Sequence, residues 1–173
     1  HGNETCGSVA IRRVLHDIEQ ERLALVSGAV TFVPVANPLA HKKRTREGDR
    51  NLNRGLAPCT QPREFEDHIA NWLCPLLARH DVLLDLHSFR TPGEPFAMLG
   101  PPDNPGVLEP FGHAAREEAL VQRLGVHRVV DGWLDTYARG VAHRRAQRVH
   151  EGHAADDLHA DYGVGTTEYM RRC

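Results

Sequence analysis

A histidine and a glutamate three residues apart open the chain, in the sequence His1-Gly2-Asn3-Glu4. At this spacing a tight turn can present the imidazole and the carboxylate to one metal ion. A second histidine, His87, follows the largely apolar segment 82–86. Zinc binds imidazole nitrogen and carboxylate oxygen in a tetrahedral shell, and a catalytic zinc keeps one position for water. His1, Glu4 and His87 therefore predict a zinc site of the catalytic type.

Asp85 stands two residues before His87. On a strand the two side chains would share one face. A carboxylate in that place can accept a hydrogen bond from a ligand imidazole and so orient it. A buried polar residue paired with the backbone is an equally good interpretation of Asp85.

Arginine and asparagine side chains that suit an anion lie between the metal-ligand motifs. Arg46, Asn53 and Arg54 combine two planar guanidinium groups with one amide, a set that can bind a carboxylate. One of the arginines could also stabilise an oxyanion as charge develops. The neighbouring basic residues are interpreted as a solvated loop: His41, Lys42, Lys43, Arg44 and Arg50.

Composition limits the possible partners. The 173 residues suit a single domain, and a formal net charge of -2 gives no reason to expect nucleic acid or an anionic membrane. No apolar run approaches the length of a membrane span. The cysteines Cys6, Cys59, Cys74 and Cys173 are scattered, without a C-x-x-C pair, which favours reduced thiols and a cytoplasmic location.

The periodicity of apolar residues predicts an α/β fold, a mainly parallel sheet with helices on both faces. In the first half of the chain, the expected elements are a helix at 8–20 capped by Thr5 or Ser8, a strand at 30–33, a functional or disordered loop at 38–58 and a helix at 65–77 that is kinked or shortened at Pro75. Strands at 82–86 and 96–99, a helix at 108–124 and a strand at 126–130 are expected to follow. The stretch 133–163 is polar and rich in histidine. Its His143, His150, His153 and His159 are interpreted as surface residues in preference to a second metal site.

Ligands in open α/β sheets bind at the carboxyl ends of the strands. His87 directly follows a predicted strand, and His1 would follow a strand upstream of the chain. The chain has no initiator methionine and ends at Arg171-Arg172-Cys173 without a closing element. These edges predict a fragment of a longer catalytic core.

The motifs together resemble the succinylglutamate desuccinylase/aspartoacylase family, relatives of the zinc carboxypeptidases. The family pattern is H-G-N-E, then T/R-R, D-x-N-R and D-L-H, in this order. This chain has His1-Gly2-Asn3-Glu4, Thr45-Arg46, Asn51-Leu52-Asn53-Arg54 and Asp85-Leu86-His87. The resemblance spans about the first hundred residues, and segment 85–101 is closer to bacterial members than to animal enzymes.

The resemblance implies zinc on His1, Glu4 and His87, carbonyl polarisation or substrate binding by Arg46, and carboxylate binding by Asn53 and Arg54. The resemblance also implies a late glutamate as general base, and a small C-terminal β domain that is expected to be missing from this chain. Asn51 departs from the pattern, because the family commonly has aspartate there.

Glu168, in Gly165-Thr166-Thr167-Glu168-Tyr169, is the late residue that could act as the base. Thr166 or Thr167 could equally cap a short helix that starts at Glu168, and the base could lie beyond Cys173.

The expected function is zinc-dependent hydrolysis of the amide bond of an N-acyl amino acid, a small-molecule substrate. Three alternatives stay open at this point. The same zinc set would serve a carboxypeptidase acting on peptides. A domain that has lost its base would bind metal without turnover. A true N-terminal His1 could form a copper brace, although the proteins with that site resemble β-sandwiches and this pattern is α/β. The acyl group, the amino acid and the oligomeric state are not encoded in these motifs.

Overall fold

The computed structural model describes residues 1–89, 91–100, 113–131 and 149–152. The chain divides into two compact units, one containing His1–Thr91 and the other Pro92–Gly163. In the described residues no helix is long and apolar enough to cross a membrane.

Helix α1 spans Cys6–Glu19 and begins two residues before the predicted start. Thr5 occupies the N-cap position, but its side chain makes no capping hydrogen bond. Ser8 does not cap the helix either, because its hydroxyl donates to the carbonyl of Pro34 at 2.5 Å. The prediction that Thr5 or Ser8 caps the helix is therefore wrong. The hydroxyl of Ser8 instead connects α1 to Pro34 by a hydrogen bond.

A short helix, α2, spans Pro38–Lys43 inside the segment predicted to be a loop. Asn37 starts it, because its side-chain oxygen accepts a hydrogen bond from the backbone amide of Ala40 at 3.1 Å. Pro38 supplies a backbone angle that suits the first helical position. Arg44 ends the helix in the left-handed conformation, with φ of 56°.

Helix α3 spans Phe65–Leu77, as predicted, but it continues past Pro75, so a shortening at that residue is wrong. The hydrophobic core of the first unit lies along its buried face and consists of Leu56, Ile69, Ala70, Leu73, Cys74 and Leu77. Leu52 and Leu83 pack against this core from outside the helix. Leu52 lies between Asn51 and Asn53, and Leu83 lies two residues before Asp85, so α3 anchors the Asn51–Arg54 turn and the segment that leads to His87.

The second unit contains the described sheet. Strand β1, Ala97–Met98, pairs in parallel with strand β2, Val129–Val130, with Ala97 opposite Val129. Helix α4, Ala114–Arg123, lies between them in sequence. Parallel neighbours need a crossover connection, commonly a helix. The described elements thus combine helices with a small parallel sheet, which is compatible with an α/β fold.

Two predicted strands are not formed in the part of the chain that the structure describes. Residues 30–33 and 82–86 do not form strands. A strand needs a hydrogen-bonded neighbour, and no described segment pairs with either of them. The second segment was expected to be buried, but Val82, Leu84 and Leu86 are 62%, 53% and 40% exposed, while Leu83 packs inward.

Candidate metal centre

The three predicted metal ligands lie together in the first unit. His1, Glu4 and His87 each offer one ligand atom, and these atoms all lie within 4.8 Å of one another. His1 Nδ1 is 2.5 Å from Glu4 Oε1, and His87 Nδ1 is 2.9 Å from Glu4 Oε2. The two imidazole rings have centroids 5.4 Å apart. The carboxylate of Glu4 thus contacts both histidines, although His87 is more than eighty residues away from it in sequence.

Close backbone packing fixes the turn that carries His1 and Glu4. Gly2 is buried, and a β-carbon there would overlap the backbone of Ala40 and His41 within α2. The space behind the turn is filled by the backbone of α2, so the turn has little freedom to move. Only glycine fits at this position without a shift of that backbone.

A second close approach places His87. Gly7, in the first turn of α1, is buried, and an added β-carbon would lie 2.9 Å from the β-carbon of Leu86 and 3.0 Å from its carbonyl oxygen. Helix α1 therefore packs directly against the residue before His87. Since Glu4 lies just before the same helix, this contact sets the distance between the turn that carries His1 and Glu4 and the segment that carries His87.

Each histidine has a further partner on its other ring nitrogen. His1 Nε2 lies 3.3 Å from Asn51 Oδ1, and His87 Nε2 lies 3.4 Å from Asp85 Oδ2. Such partners fix which nitrogen carries the proton and leave the other free to bind a metal. Asp85 thus has the contact that an orienting carboxylate needs. Its hydrogen bond raises the pKa of His87 above the ordinary value, against the opposing effect of burial, and Glu4 adds to the increase.

Glu4 collects two further hydrogen bonds. The backbone amide of Ser88 donates to Oε2 at 2.9 Å, and Arg46 Nη1 donates to Oε1 at 3.3 Å. The side chain of Glu4 is only 11% exposed, whereas Arg46 is 53% exposed. The guanidinium group of Arg46 therefore touches the metal-ligand set from the solvent side.

Two of the predicted anion-binding residues, Asn53 and Arg54, lie in a tight turn that begins at Asn51. Asn51 Oδ1 accepts a hydrogen bond from the amide of Asn53 at 2.9 Å, and the amide of Arg54 donates to the carbonyl of Asn51 at 3.1 Å. This is the local pattern by which asparagine stabilises turns. The side chain of Arg54 is exposed and donates to the carbonyl of Asn53 at 2.5 Å.

Arg50 differs from the rest of the basic loop. His41, Lys42, Lys43 and Arg44 are exposed, as predicted for a solvated loop. Arg50 is half-buried instead and pairs with Glu64 at 2.9 Å and with Asp67 at 2.7 Å. The prediction for Arg50 is wrong because two acidic side chains at the start of α3 hold its guanidinium group.

The donor set suits zinc. Two imidazole nitrogens and one carboxylate converge from different parts of the chain, and His1 is only 5% exposed although it is polar. Each imidazole has an outer hydrogen-bond acceptor, as metal-bound histidines almost always do. A His₂Glu set with space for water is characteristic of catalytic zinc.

Sequence reasoning did not identify every residue around the site. It noted Asn51 only as a departure from the family pattern, and it anticipated neither the contact of Asn51 with His1 nor the hydrogen bond from the Ser88 amide to Glu4. Glu168, proposed as the base, lies outside the described residues, as do Thr166, Thr167, His143, His153 and His159.

Comparison with known proteins agrees with the motif assignment. The model of the succinylglutamate desuccinylase/aspartoacylase catalytic domain matches residues 1–92. No curated protein and no solved structure gives a significant match. The matched region contains the three candidate ligands, Arg46 and the Asn51–Arg54 turn. Because the match covers more than half of the 173 residues, the chain belongs to the succinylglutamate desuccinylase/aspartoacylase family.

Proposed function

We propose that this protein is a zinc-dependent hydrolase that cleaves the amide bond of an N-acyl amino acid. The observation that carries the proposal is the convergence of His1, Glu4 and His87, whose ligand atoms lie within 4.8 Å of one another. Family membership supports the same reaction class.

His1, Glu4 and His87 would hold the zinc ion, with Asn51 and Asp85 accepting hydrogen bonds from the two imidazoles. Bound zinc would supply a water whose pKa is lowered to about 7 and a Lewis acid for the carbonyl group. The backbone of Ser88 contributes by holding one oxygen of Glu4, so that the carboxylate keeps its orientation.

Arg46 is assigned to the substrate carbonyl. Its guanidinium group lies at the edge of the ligand set and is half-exposed, so it can turn from Glu4 towards a bound substrate. Fixed positive charge there would stabilise the oxyanion that develops during attack.

Asn53 and Arg54 are assigned to a substrate carboxylate. The turn places them consecutively, and the exposed guanidinium group of Arg54 is available for a bidentate contact. This assignment supports an N-acyl amino acid as substrate, because its free carboxylate is the group that an arginine fork recognises.

A general base must take a proton from the attacking water and deliver it to the leaving amine. Glu168 stays our assignment for this role. The cytoplasmic location expected from the cysteine pattern also stays a prediction.

Hydrolysis assays test the proposal. Purified protein should release the free amino acid from N-succinylglutamate or N-acetylaspartate, lose the activity on dialysis against a chelator and regain it with Zn²⁺. Hydrolysis of dipeptides in preference to both compounds would contradict the deacylase assignment and favour a carboxypeptidase. Zinc binding without turnover of any of these compounds would favour a metal-binding domain without activity.

A further inference from the structure

The mechanism makes no use of Glu66, a carboxylate with no exposed surface on helix α3. It lies on the apolar face of the helix, in register with Ile69, Ala70 and Leu73. Burying a charge is unfavourable unless hydrogen bonds compensate for the lost water. Its partners therefore indicate what the carboxylate does.

Glu66 accepts hydrogen bonds from one side-chain amide and three consecutive backbone amides. The Nδ2 group of Asn37 donates at 2.6 Å, and the amides of Gly48, Asp49 and Arg50 donate at 3.1, 3.2 and 3.2 Å. Burial raises the pKa of Glu66, but these donors outweigh it and the net pKa is lowered. The carboxylate is thus a charged anchor for residues 48–50.

The anchored segment leads directly to the metal centre. Asn51 follows Arg50, and its Oδ1 atom lies 3.3 Å from His1 Nε2. The guanidinium group of Arg50 also holds the carbonyl of Arg54 at 2.7 Å, which closes the turn around Asn51. The position of the oxygen that contacts His1 is therefore set by a segment that Glu66 holds in place.

The other partner of Glu66 also leads towards His1. The side chain of Asn37 donates to Glu66 and caps α2 through the amide of Ala40. The backbone of Ala40 lies against Gly2, the residue after His1. Glu66 is therefore connected to His1 by two routes. One runs through Asn51, which contacts the imidazole of His1, and the other runs through α2, which packs against Gly2.

We propose that Glu66 is a positioning residue that holds His1 in its metal-binding orientation, acting mainly through the backbone amides of residues 48–50 and the side chain of Asn51. The inference rests on the proposed function, because it concerns the zinc site of that function. It adds a buried carboxylate that contacts neither metal nor substrate.

Zinc affinity, measured by competition between the folded protein and a chromophoric chelator, tests the inference without an activity assay. Glu66→Gln keeps the size of the side chain but turns an acceptor into a donor that faces backbone amides. Zinc binding should weaken about tenfold, the lower end of the effect seen for outer partners of metal ligands. Asn51→Ala should have a similar effect, and the double variant should bind zinc about as well as Asn51→Ala, because the two residues act in one chain of contacts.

Asn71→Ala is the matched control, since it removes a side chain of the same helix that holds a different segment, through two hydrogen bonds with the backbone of Cys59. It should lower the melting temperature and leave zinc affinity within about twofold of wild type. An equal loss of affinity in Asn71→Ala and Glu66→Gln would overturn the inference, because it would reflect general destabilisation.

Unchanged zinc affinity in folded Glu66→Gln, or in folded Asn51→Ala, would overturn the inference and leave the proposed function intact. If Glu66→Gln does not fold, the zinc affinity of Asn51→Ala provides the test. Asn51 lies in a half-buried turn, so its replacement should leave the fold intact. A wild-type chain that binds no zinc would contradict the proposed function itself, and the inference would fall with it.

Discussion

Replacing Asp67 by asparagine should cost stability at neutral pH and have little effect in strong acid. Asp67 Oδ1 accepts a hydrogen bond from Arg50 Nη2 at 2.7 Å, and Oδ2 accepts from the amides of Arg63 and Glu64 at 3.0 and 3.1 Å. The hydrogen bond from Arg50 is the largest cause that lowers the pKa of Asp67, from 3.8 to about 2. These contacts start α3 and hold the arginine that closes the Asn51 turn.

The size of the effect follows from the lowered pKa of Asp67. At about 1.4 kcal/mol per pKa unit, the drop from 3.8 to about 2 corresponds to at most about 2.5 kcal/mol. Because the Asp67–Arg50 pair is partly exposed, with 17% and 24% of the side chains accessible, solvent screening reduces this to about 1 kcal/mol. The folded-state pKa is the lower one, so the stabilisation is present above pH 3.8 and is lost as the pH falls towards about 2.

Urea unfolding of wild type and Asp67→Asn at a series of pH values from 7 to 2 measures this difference. The free energies of unfolding should differ by about 1 kcal/mol at pH 7, by less at pH 3, and should converge near pH 2. Asp81→Asn, at an exposed position, is the matched control and should keep the wild-type pH dependence. A difference for Asp67→Asn that stays constant over the whole range would refute the reasoning.

Three further predictions concern the site. Gly2→Ala should destabilise the fold by about 1–3 kcal/mol and weaken zinc binding, because its methyl group would overlap the backbone of Ala40. A variant with the melting temperature and zinc affinity of wild type would contradict the close packing of Gly2 on α2. Arg54→Lys should raise KM for an N-acyl amino acid about tenfold or more with little change in kcat, since an ammonium group cannot replace the guanidinium fork. The exposed Arg79→Lys serves as control. An unaltered KM in Arg54→Lys would contradict the assignment of Arg54 to the substrate carboxylate. Arg46→Ala should lower kcat about a hundredfold; a change confined to KM would instead assign Arg46 to ground-state binding.

Local motifs made the metal centre predictable from sequence. The His1-Glu4 pair is set by one tight turn, and His87 belongs to a recognisable Asp-Leu-His motif. The outer contacts could not be predicted in the same way, because Asn51 and His1 are 50 residues apart in sequence and meet through tertiary packing. Glu66 did carry a signal, a carboxylate at helical spacing with buried apolar residues, but its partners come from two other segments, Asn37 and residues 48–50.

The elements show the same division between local and distant causes. Helix α3 was predictable because its apolar residues repeat at helical spacing, although Phe65 and Trp72 of that pattern are 37% and 44% exposed. Helix α2 was missed because it is only 6 residues long, and its start depends on the Asn37-Pro38 cap instead of periodicity. The strands at 30–33 and 82–86 require neighbours that a local pattern does not specify.

Metal content is the most direct test of the central claim. Elemental analysis of the purified wild-type chain should find about one zinc ion per chain, as expected for a single His₂Glu site. His87→Ala should lose that zinc, whereas His68→Ala, at an exposed histidine on α3, should retain it. A wild-type chain without zinc, or a His87→Ala variant that keeps it, would contradict the assignment of His1, Glu4 and His87 as the metal centre.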